Sequence, residues 1–340
     1  MGQLYINENG AHVSITANRI VIRYNDGMEK SLPIETLDGI TILGKVQVTT
    51  QCVEKLLSKG IPVAYFSKGG RYFGRLVSPN HIKVKIQRIQ SSLYDTPFAL
   101  EFARNIIDAK LRNQSVVLRR YARNHSINIK EEVSYISFCL SKVRNAKSIT
   151  EINGYEGLAA KMYFKGLAMC IDEEFSFSGR NRQPPKDPFN SLLSLGYSIL
   201  MNEIYGELEC KGLNPYFGFM HRDADNHPTL VSDLLEEWRA TIVDSSVMSL
   251  INGHEIKKNM FYYEDDGGCY IDKNGLNIFL NKLEKKIMTS FRYLYRVDYD
   301  VNFRRAIALQ TDRLIKAIEQ KDASQYEPVI IRQYVMTSSL

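Results

Sequence analysis

Over residues 3–49 apolar and polar positions alternate in short runs, LYI, HVSI, RIVIRY, ITILG and VQVTT, separated by Asn9-Gly10, Asn25-Asp26-Gly27 and Gly39. Period-2 alternation broken by turn residues predicts hairpins and small sheets. Gln51–Lys59 reads as one short helix, Ile61–Phe66 and Tyr72–Leu76 as strands, and Lys68-Gly69-Gly70 as a turn between them. From Phe98 onward apolar residues recur at helical spacing and β-type alternation nearly vanishes. The segment SSLYDTP interrupts both patterns. The chain is therefore expected to be α+β: a β-rich domain over residues 1–90, a linker over 91–98, an all-α domain over 99–325 and a tail over 326–340. Met260–Asn274, with Glu264-Asp265-Asp266-Gly267-Gly268, reads as a loop or small hairpin among the helices, and its acids do not have EF-hand spacing.

Within the helical part, Gly218–Asp244 sets a histidine on a turn-rich loop ahead of an amphipathic helix. Leu230, Val231, Leu234, Leu235, Trp238 and Ile242 recur at helical spacing across Thr229–Val243, with Asp233, Glu236 and Glu237 between them. The acids are expected to leave the core side, and Asp233 and Glu236, three residues apart, share one face. Asn226, Pro228 and Thr229 carry loop and helix-start signals that fold His221 back toward the helix. Carboxylates with an imidazole and no thiolate suit Mg²⁺ or Mn²⁺ better than zinc. An ordinary surface loop before a half-buried helix has the same pattern.

Two further segments narrow the reading. Ile152–Leu167 carries an apolar stripe of Tyr155, Leu158, Ala159, Met162, Tyr163 and Leu167, with small Gly157, Ala159 and Ala160 allowing another helix to approach. Glu156, between Gly154 and Gly157, is expected at a tightly packed helix start where it does best beside a cation; the helix macrodipole alone would also favour it there. In Phe177–Leu200 a basic loop precedes an apolar helix, and Arg180, Arg182 and Lys186 stand on backbone stiffened by Pro184, Pro185 and Pro188. Cations so presented lose little conformational freedom on meeting a phosphate, although an ordinary interhelical connection reads alike.

The blocks YEGLAAKMYF, GRNRQPPKDPFNSLLSLGY and GFMH followed by LVSDLLEEWR, in that order, resemble the CRISPR-associated integrase family, whose members insert new spacers into CRISPR arrays. The N-terminal IETLDGITILGKVQVTTQCVEKLLSKGIPVAYFSKGGRYFGRL resembles that family's β domain, so the likeness covers nearly the whole chain. It implies a metal-dependent DNA endonuclease and integrase with Mg²⁺ or Mn²⁺ held by Glu156, His221 and Glu236. Asp233, one turn earlier, competes for the third position. It also implies a homodimer that joins a small ferredoxin-like CRISPR-associated partner dimer and acts on double-stranded DNA, both spacer precursor and repeat.

Charge placement bears on where DNA would lie. The formal net charge is +6, and residues 1–90 hold 12 Lys and Arg against 6 Asp and Glu, leaving 32 of each in residues 91–340. The basic surplus is N-terminal. A second concentration, Arg104, Lys110, Arg112, Arg119, Arg120 and Arg123, meets only Asp108 as an acid. Arg112, Arg119 and Arg120 join Arg180, Arg182 and Lys186 as candidate DNA contacts, with a solvated helix face as the alternative. Five scattered cysteines without a CxxC pair argue against a zinc ribbon and a disulfide framework. No apolar run spans a bilayer and the start lacks signal-peptide regions, so a cytoplasmic location is expected. A repair nuclease acting on branched DNA would use the same site, and a non-catalytic nucleic-acid scaffold would leave these acids solvated.

Overall fold

The computed structural model describes residues 2–68, 72–79, 82–182, 184–292, 294 and 299–331. Gly69 and Gly70 of the expected turn and residues 332–340 of the expected tail lie outside the described residues. The chain divides into two compact units, 1–82 and 83–340.

In the first unit two four-stranded sheets enclose one apolar core. β1 (Gly2–Ile6), β5 (Leu37–Leu43), β7 (Val63–Phe66) and β8 (Tyr72–Leu76) form one sheet in that order, with β1–β5 and β5–β7 parallel and β7–β8 antiparallel. β4 (Glu29–Pro33), β3 (Arg19–Arg23), β2 (His12–Thr16) and β6 (Gln47–Val48) form the other. Ile6, Val13, Ile20, Ile22, Ile40, Ile42 and Val63 fill the core with Cys52 and Leu56 of α1 (Thr50–Ser58). Thr49 caps that helix, its hydroxyl accepting from the Cys52 amide at 3.3 Å. The β5–β7 pair is parallel because α1 supplies the crossover between them.

The unit boundary falls after Ile82, not at residue 90. Gln90 of α2 (Val84–Ser92) is buried in the helical unit, where its side-chain amide donates to the carbonyls of Asn214 and Phe217, 2.8 Å each, and its Oε1 accepts from the Asn214 amide at 3.0 Å. A residue that satisfies three backbone groups of the loop ahead of His221 belongs to the unit that holds that loop.

The second unit is built on α3 (Pro97–Asn124), against which α4 (Lys130–Asn145), α5 (Ile149–Met169) and α7 (Thr229–Trp238) pack. Its inner face runs through Phe98, Phe102, Ile106, Lys110, Asn113, Val117 and Tyr121, the three-and-four spacing of an amphipathic helix with two polar residues set in it. α6 (Pro188–Cys210) lies on α7, and α8 (Ser245–Asn252), α9 (Lys273–Ile287) and α10 (Phe303–Gln320) complete the unit. The expected insertion is a hairpin of β9 (Phe261–Tyr263) and β10 (Cys269–Ile271); β11 (Ser290–Arg292) pairs with β12 (Asp300–Asn302).

The structure corrects three expectations. First, every residue of α7 is buried, so Asp233, Glu236 and Glu237 do not leave the core side. Each has an interior partner, described below, and a buried acid with partners is tolerated where a bare one is not. Second, the helix through Val243 is not regular: α7 passes into a π-helical turn over Arg239–Asp244 before α8. Third, the chain past 325 is not all tail. Tyr326 is buried and its hydroxyl donates to Glu237 Oε2 at 3.0 Å, while Asn113 holds the Val329 carbonyl (3.0 Å) and the Ile331 amide (2.9 Å). Burial raises the Glu237 pKa to about 8, so this contact is made by a neutral acid at lower pH.

Candidate active site

α5 begins at Ile149, where Ser148 caps it by accepting from the Glu151 amide at 3.2 Å. Glu156 therefore sits inside the helix and not at its start, and the macrodipole does not account for it. Of the small residues expected on the packed face Ala159 is buried, but Gly157 is exposed, as is Leu158 of the expected stripe; the close approach comes at Gly166, where a Cβ would fall 2.8 Å from two methyl carbons of Leu118. That close approach of α5 to α3 brings Glu156 to Lys110.

The Lys110 ammonium bridges two carboxylates. It bonds Glu156 Oε1 and lies 2.6 Å from Glu236 Oε2, with its own side chain 5% exposed. Glu236 is equally buried, and its Oε2 makes no hydrogen bond of good geometry even so. Its other oxygen faces Arg239 Nη1 at 3.3 Å and His221 Nε2 at 3.9 Å. Burial acts to raise the Glu236 pKa, but Arg239, Lys110 and His221 outweigh it and hold the carboxyl down to about 2.

Asp233 does something else. Oδ2 accepts from the amides of Phe219 (2.7 Å) and Met220 (3.1 Å), and Oδ1 from the His221 amide (3.0 Å) and His221 Nδ1 (2.7 Å). With both oxygens committed, Asp233 fixes the loop and the imidazole, turning Nε2 toward Glu236. Burial lowers the His221 pKa, yet the bond and charge of Asp233, aided by Glu236, raise it overall. Of the two competing acids it is Glu236 that stands beside Nε2 and shares a cation with Glu156.

The loop reaches this position through a glycine. A Cβ on Gly218 would lie 2.8 Å from the Thr229 carbonyl carbon and 2.9 Å from both the Leu230 nitrogen and Asp233 Oδ2, rigid backbone in two of three cases. Gly218→Ala is expected to destabilise the protein by about 1–3 kcal/mol, as overpacking does, and to swing His221 off Glu236. Thermal melting checks the first effect; the second is read as a drop in DNA-processing activity in protein that remains folded.

Behind the carboxylates, Arg239 and Arg180 lie against the Tyr197 ring, 4.9 and 5.4 Å from its centroid, and Arg239 Nε is buried without a hydrogen-bond partner. Tyr197 and Tyr163 donate to Asp244 at 2.5 and 2.9 Å; burial pushes Asp244 up to about 6 against those bonds. Lys110 and Arg239 were not singled out from the sequence as site residues. The signal for Lys110 was its place on the apolar face of α3, four residues after Ile106; for Arg239 it was the i,i+3 spacing from Glu236.

The basic residues divide in two. Arg180 is turned inward, donating to Asn190 Oδ1 at 2.8 Å and Ser194 Oγ at 3.0 Å, and Arg112 donates to Asp108 at 2.6 Å. Arg182, Lys186, Arg119 and Arg120 are exposed. Among the described residues no group of three or more His, Cys, Asp or Glu stands close enough to hold an ion as the side chains lie, because Lys110 separates the two glutamates.

The family described as CRISPR associated protein Cas1 matches residues 4–285. The chain belongs to the Cas1 family. The CRISPR-associated endonuclease Cas1 of Mycobacterium tuberculosis (strain ATCC 25618 / H37Rv) is 33% identical over 94% of this chain and 94% of its own length. CRISPR-associated endonuclease Cas1 3 of Thermus thermophilus is 30% identical over 98% of each. Among solved structures, a chain of a Cas6-RT-Cas1–Cas2 complex superposes with a TM-score of 0.82 at 26% identity over 96% of this chain and 36% of that one. A casposase bound to integration product superposes at TM-score 0.85 with 23% identity, covering 98% of this chain and 96% of that one, which shows that the Cas1 fold is shared. The N-terminal sheets and the helical remainder are thus those of a Cas1 protein, in a family whose curated relatives are named endonucleases.

Proposed function

We propose that this Cas1 protein is a metal-dependent DNA integrase of CRISPR adaptation, joining 3′ ends of spacer DNA to the repeat. The observation that carries the reading is that Glu236 links the other two side chains: its Oε2 meets the Lys110 ammonium that also bonds Glu156, and its Oε1 faces His221 Nε2 at 3.9 Å. A stand-in cation between hard oxygen donors, with an imidazole alongside and no thiolate, fits Mg²⁺ or Mn²⁺ held by those three side chains. Bound there, such an ion would polarise a phosphate and stabilise charge on the entering and leaving oxygens.

The chain's own residues supply the rest. Asp233 holds the imidazole in one orientation, Arg239 places a partly buried positive charge beside Glu236, and exposed Arg182 and Lys186 are available for phosphates. No protein nucleophile is required: a DNA 3′ hydroxyl attacks the target phosphorus, one P–O bond forms as another breaks, and the displaced strand leaves with the proton-accepting oxygen.

Partners follow from the same reading. That one structural neighbour comes from a Cas6-RT-Cas1–Cas2 complex supports a Cas2 partner, and the resemblance implies a small ferredoxin-like partner dimer beside a homodimer of this chain. Within the β unit the edge strand β8 exposes Phe73 (66%) and Tyr72 (41%), an apolar edge that profits from pairing with a second copy. No helix among the described residues is long and apolar enough to cross a membrane, which is compatible with action on DNA in the cytoplasm.

Charge reversal at exposed Arg119 and Arg120 should weaken double-stranded DNA binding and flatten its salt dependence by about one unit of slope for each phosphate no longer neutralised. Fluorescence anisotropy at several salt concentrations measures both, and an unchanged slope removes that helix from the DNA path. The function itself is tested by incubating the protein and its small partner with a short duplex, a supercoiled repeat-bearing plasmid and Mn²⁺. Covalently joined DNA is expected; cleaved products alone would leave a nuclease of branched DNA, and binding without turnover a scaffold.

A further inference from the structure

We propose that Lys110 is a built-in placeholder for the divalent ion, holding Glu156 and Glu236 together in the metal-free protein and leaving Glu156 when the ion binds. The inference rests on the metal reading above and concerns what Lys110 does when the ion arrives. The partly exposed Glu156 carboxylate and the buried Glu236 carboxylate share one ammonium, and without a cation between them they would repel and splay. Lys110 fills that role from the apolar face of α3, where Ile106, Ile107, Asn113 and Gln114 are buried with it.

Its chemistry suits a temporary occupant. A lysine ammonium is a compact point charge on a flexible four-carbon stem, unlike the planar guanidinium of Arg239, which is held by the Tyr197 face and Glu236. An acceptor also awaits it. Gln114 lies four residues on along the same helix face, and its Oε1 is buried without a hydrogen-bond partner. The unsatisfied Oε2 of Glu236 tells the same story from the other side: the ammonium neutralises that oxygen without a well-aligned bond, so a better-placed cation can replace it there.

A placeholder and a mere structural ion pair make opposite demands on metal affinity. Removing a structural pair lets the carboxylates drift and weakens binding; removing a competitor strengthens it. Mn²⁺ binding to the full-length metal-free protein, followed by calorimetry and by loss of the free-ion EPR signal, should give dissociation constants about tenfold smaller or more for Lys110→Met and Lys110→Gln. Both variants should melt below the wild type without Mn²⁺ and show the larger rise in melting temperature with it. Lys110→Gln, which still reaches the carboxylates by hydrogen bonds, serves if Lys110→Met does not fold. Lys110→Arg, whose planar fork cannot withdraw as easily, should bind Mn²⁺ more weakly than wild type. Unchanged or weaker Mn²⁺ binding in folded Lys110→Gln overturns the placeholder alone. Failure of the wild type to bind Mn²⁺ overturns the metal reading and the placeholder with it.

Discussion

Glu156→Ala and His221→Ala each lower DNA joining by about 10³-fold or more, the several kcal/mol that an ion contributes at a phosphate in reaction, while leaving the protein folded. These two are chosen over Glu236 for a physical reason. With Glu156 gone, Lys110 still has Glu236 as a partner; with His221 gone, Asp233 still accepts from three backbone amides. Glu236→Ala would instead leave the buried Lys110 facing only Glu156 and strip the partly buried Arg239 of its carboxylate, a loss of about 3–5 kcal/mol that mixes stability with catalysis. The joining assay is read beside melting curves. Joining that persists in both substituted proteins would remove this site from the reaction.

Asp233→Ala is expected to be damaging in a different manner. It leaves the buried amides of Phe219, Met220 and His221 without their acceptor, at about 1–3 kcal/mol for each group left unsatisfied, in a fold whose whole stability is about 5–15 kcal/mol. The variant should melt far below the wild type or fail to accumulate. Asp233→Asn keeps the shape and one acceptor oxygen but no longer holds the imidazole by charge; folded protein is expected with joining reduced about 10- to 100-fold, the usual cost of losing the group that orients a metal-binding histidine. The contrast between a stable Glu156→Ala and an unstable Asp233→Ala separates the acid that contacts the cation from the acid that builds the loop. Equal melting temperatures would contradict that division of roles.

Much of this arrangement was legible from residues alone. The change from period-2 alternation to helical spacing exists but falls before Phe98, since β8 ends at Leu76 and α2 already belongs to the helical unit, whereas the hairpin at β9 and β10 matches the Gly267-Gly268 turn signal. The shared face of Asp233 and Glu236 follows from helical geometry. What was not legible depends on partners distant in sequence. An acid beside apolar residues reads as a solvated position unless its counterion is known, and Lys110, Tyr326 and Gln310 come from helices and a C-terminal segment far along the chain. The same blindness placed Glu156 at a helix start: Gly154 and Gly157 suggest a break, but Ser148 caps earlier and the packing of Gly166 on Leu118 carries the helix through both. The π turn at Arg239–Asp244 has no sequence signal of its own; its consequence is that Arg239 and Asp244 both face Tyr197. Arg180, singled out for phosphate, is instead bonded to Asn190 and Ser194 at the base of α6, a use of guanidinium that a basic loop does not disclose.

The position taken by a divalent ion decides between an integrase centre at these side chains and a merely structural ion-pair cluster. Crystals of the protein soaked in Mn²⁺ and measured at the manganese edge should give an anomalous peak bounded by Glu156, His221 Nε2 and Glu236, with Asp233 still on His221 Nδ1 and the Lys110 ammonium withdrawn from Glu156. A peak elsewhere, or Lys110 still bridging the two glutamates at saturating Mn²⁺ with no peak among the three side chains, would contradict it.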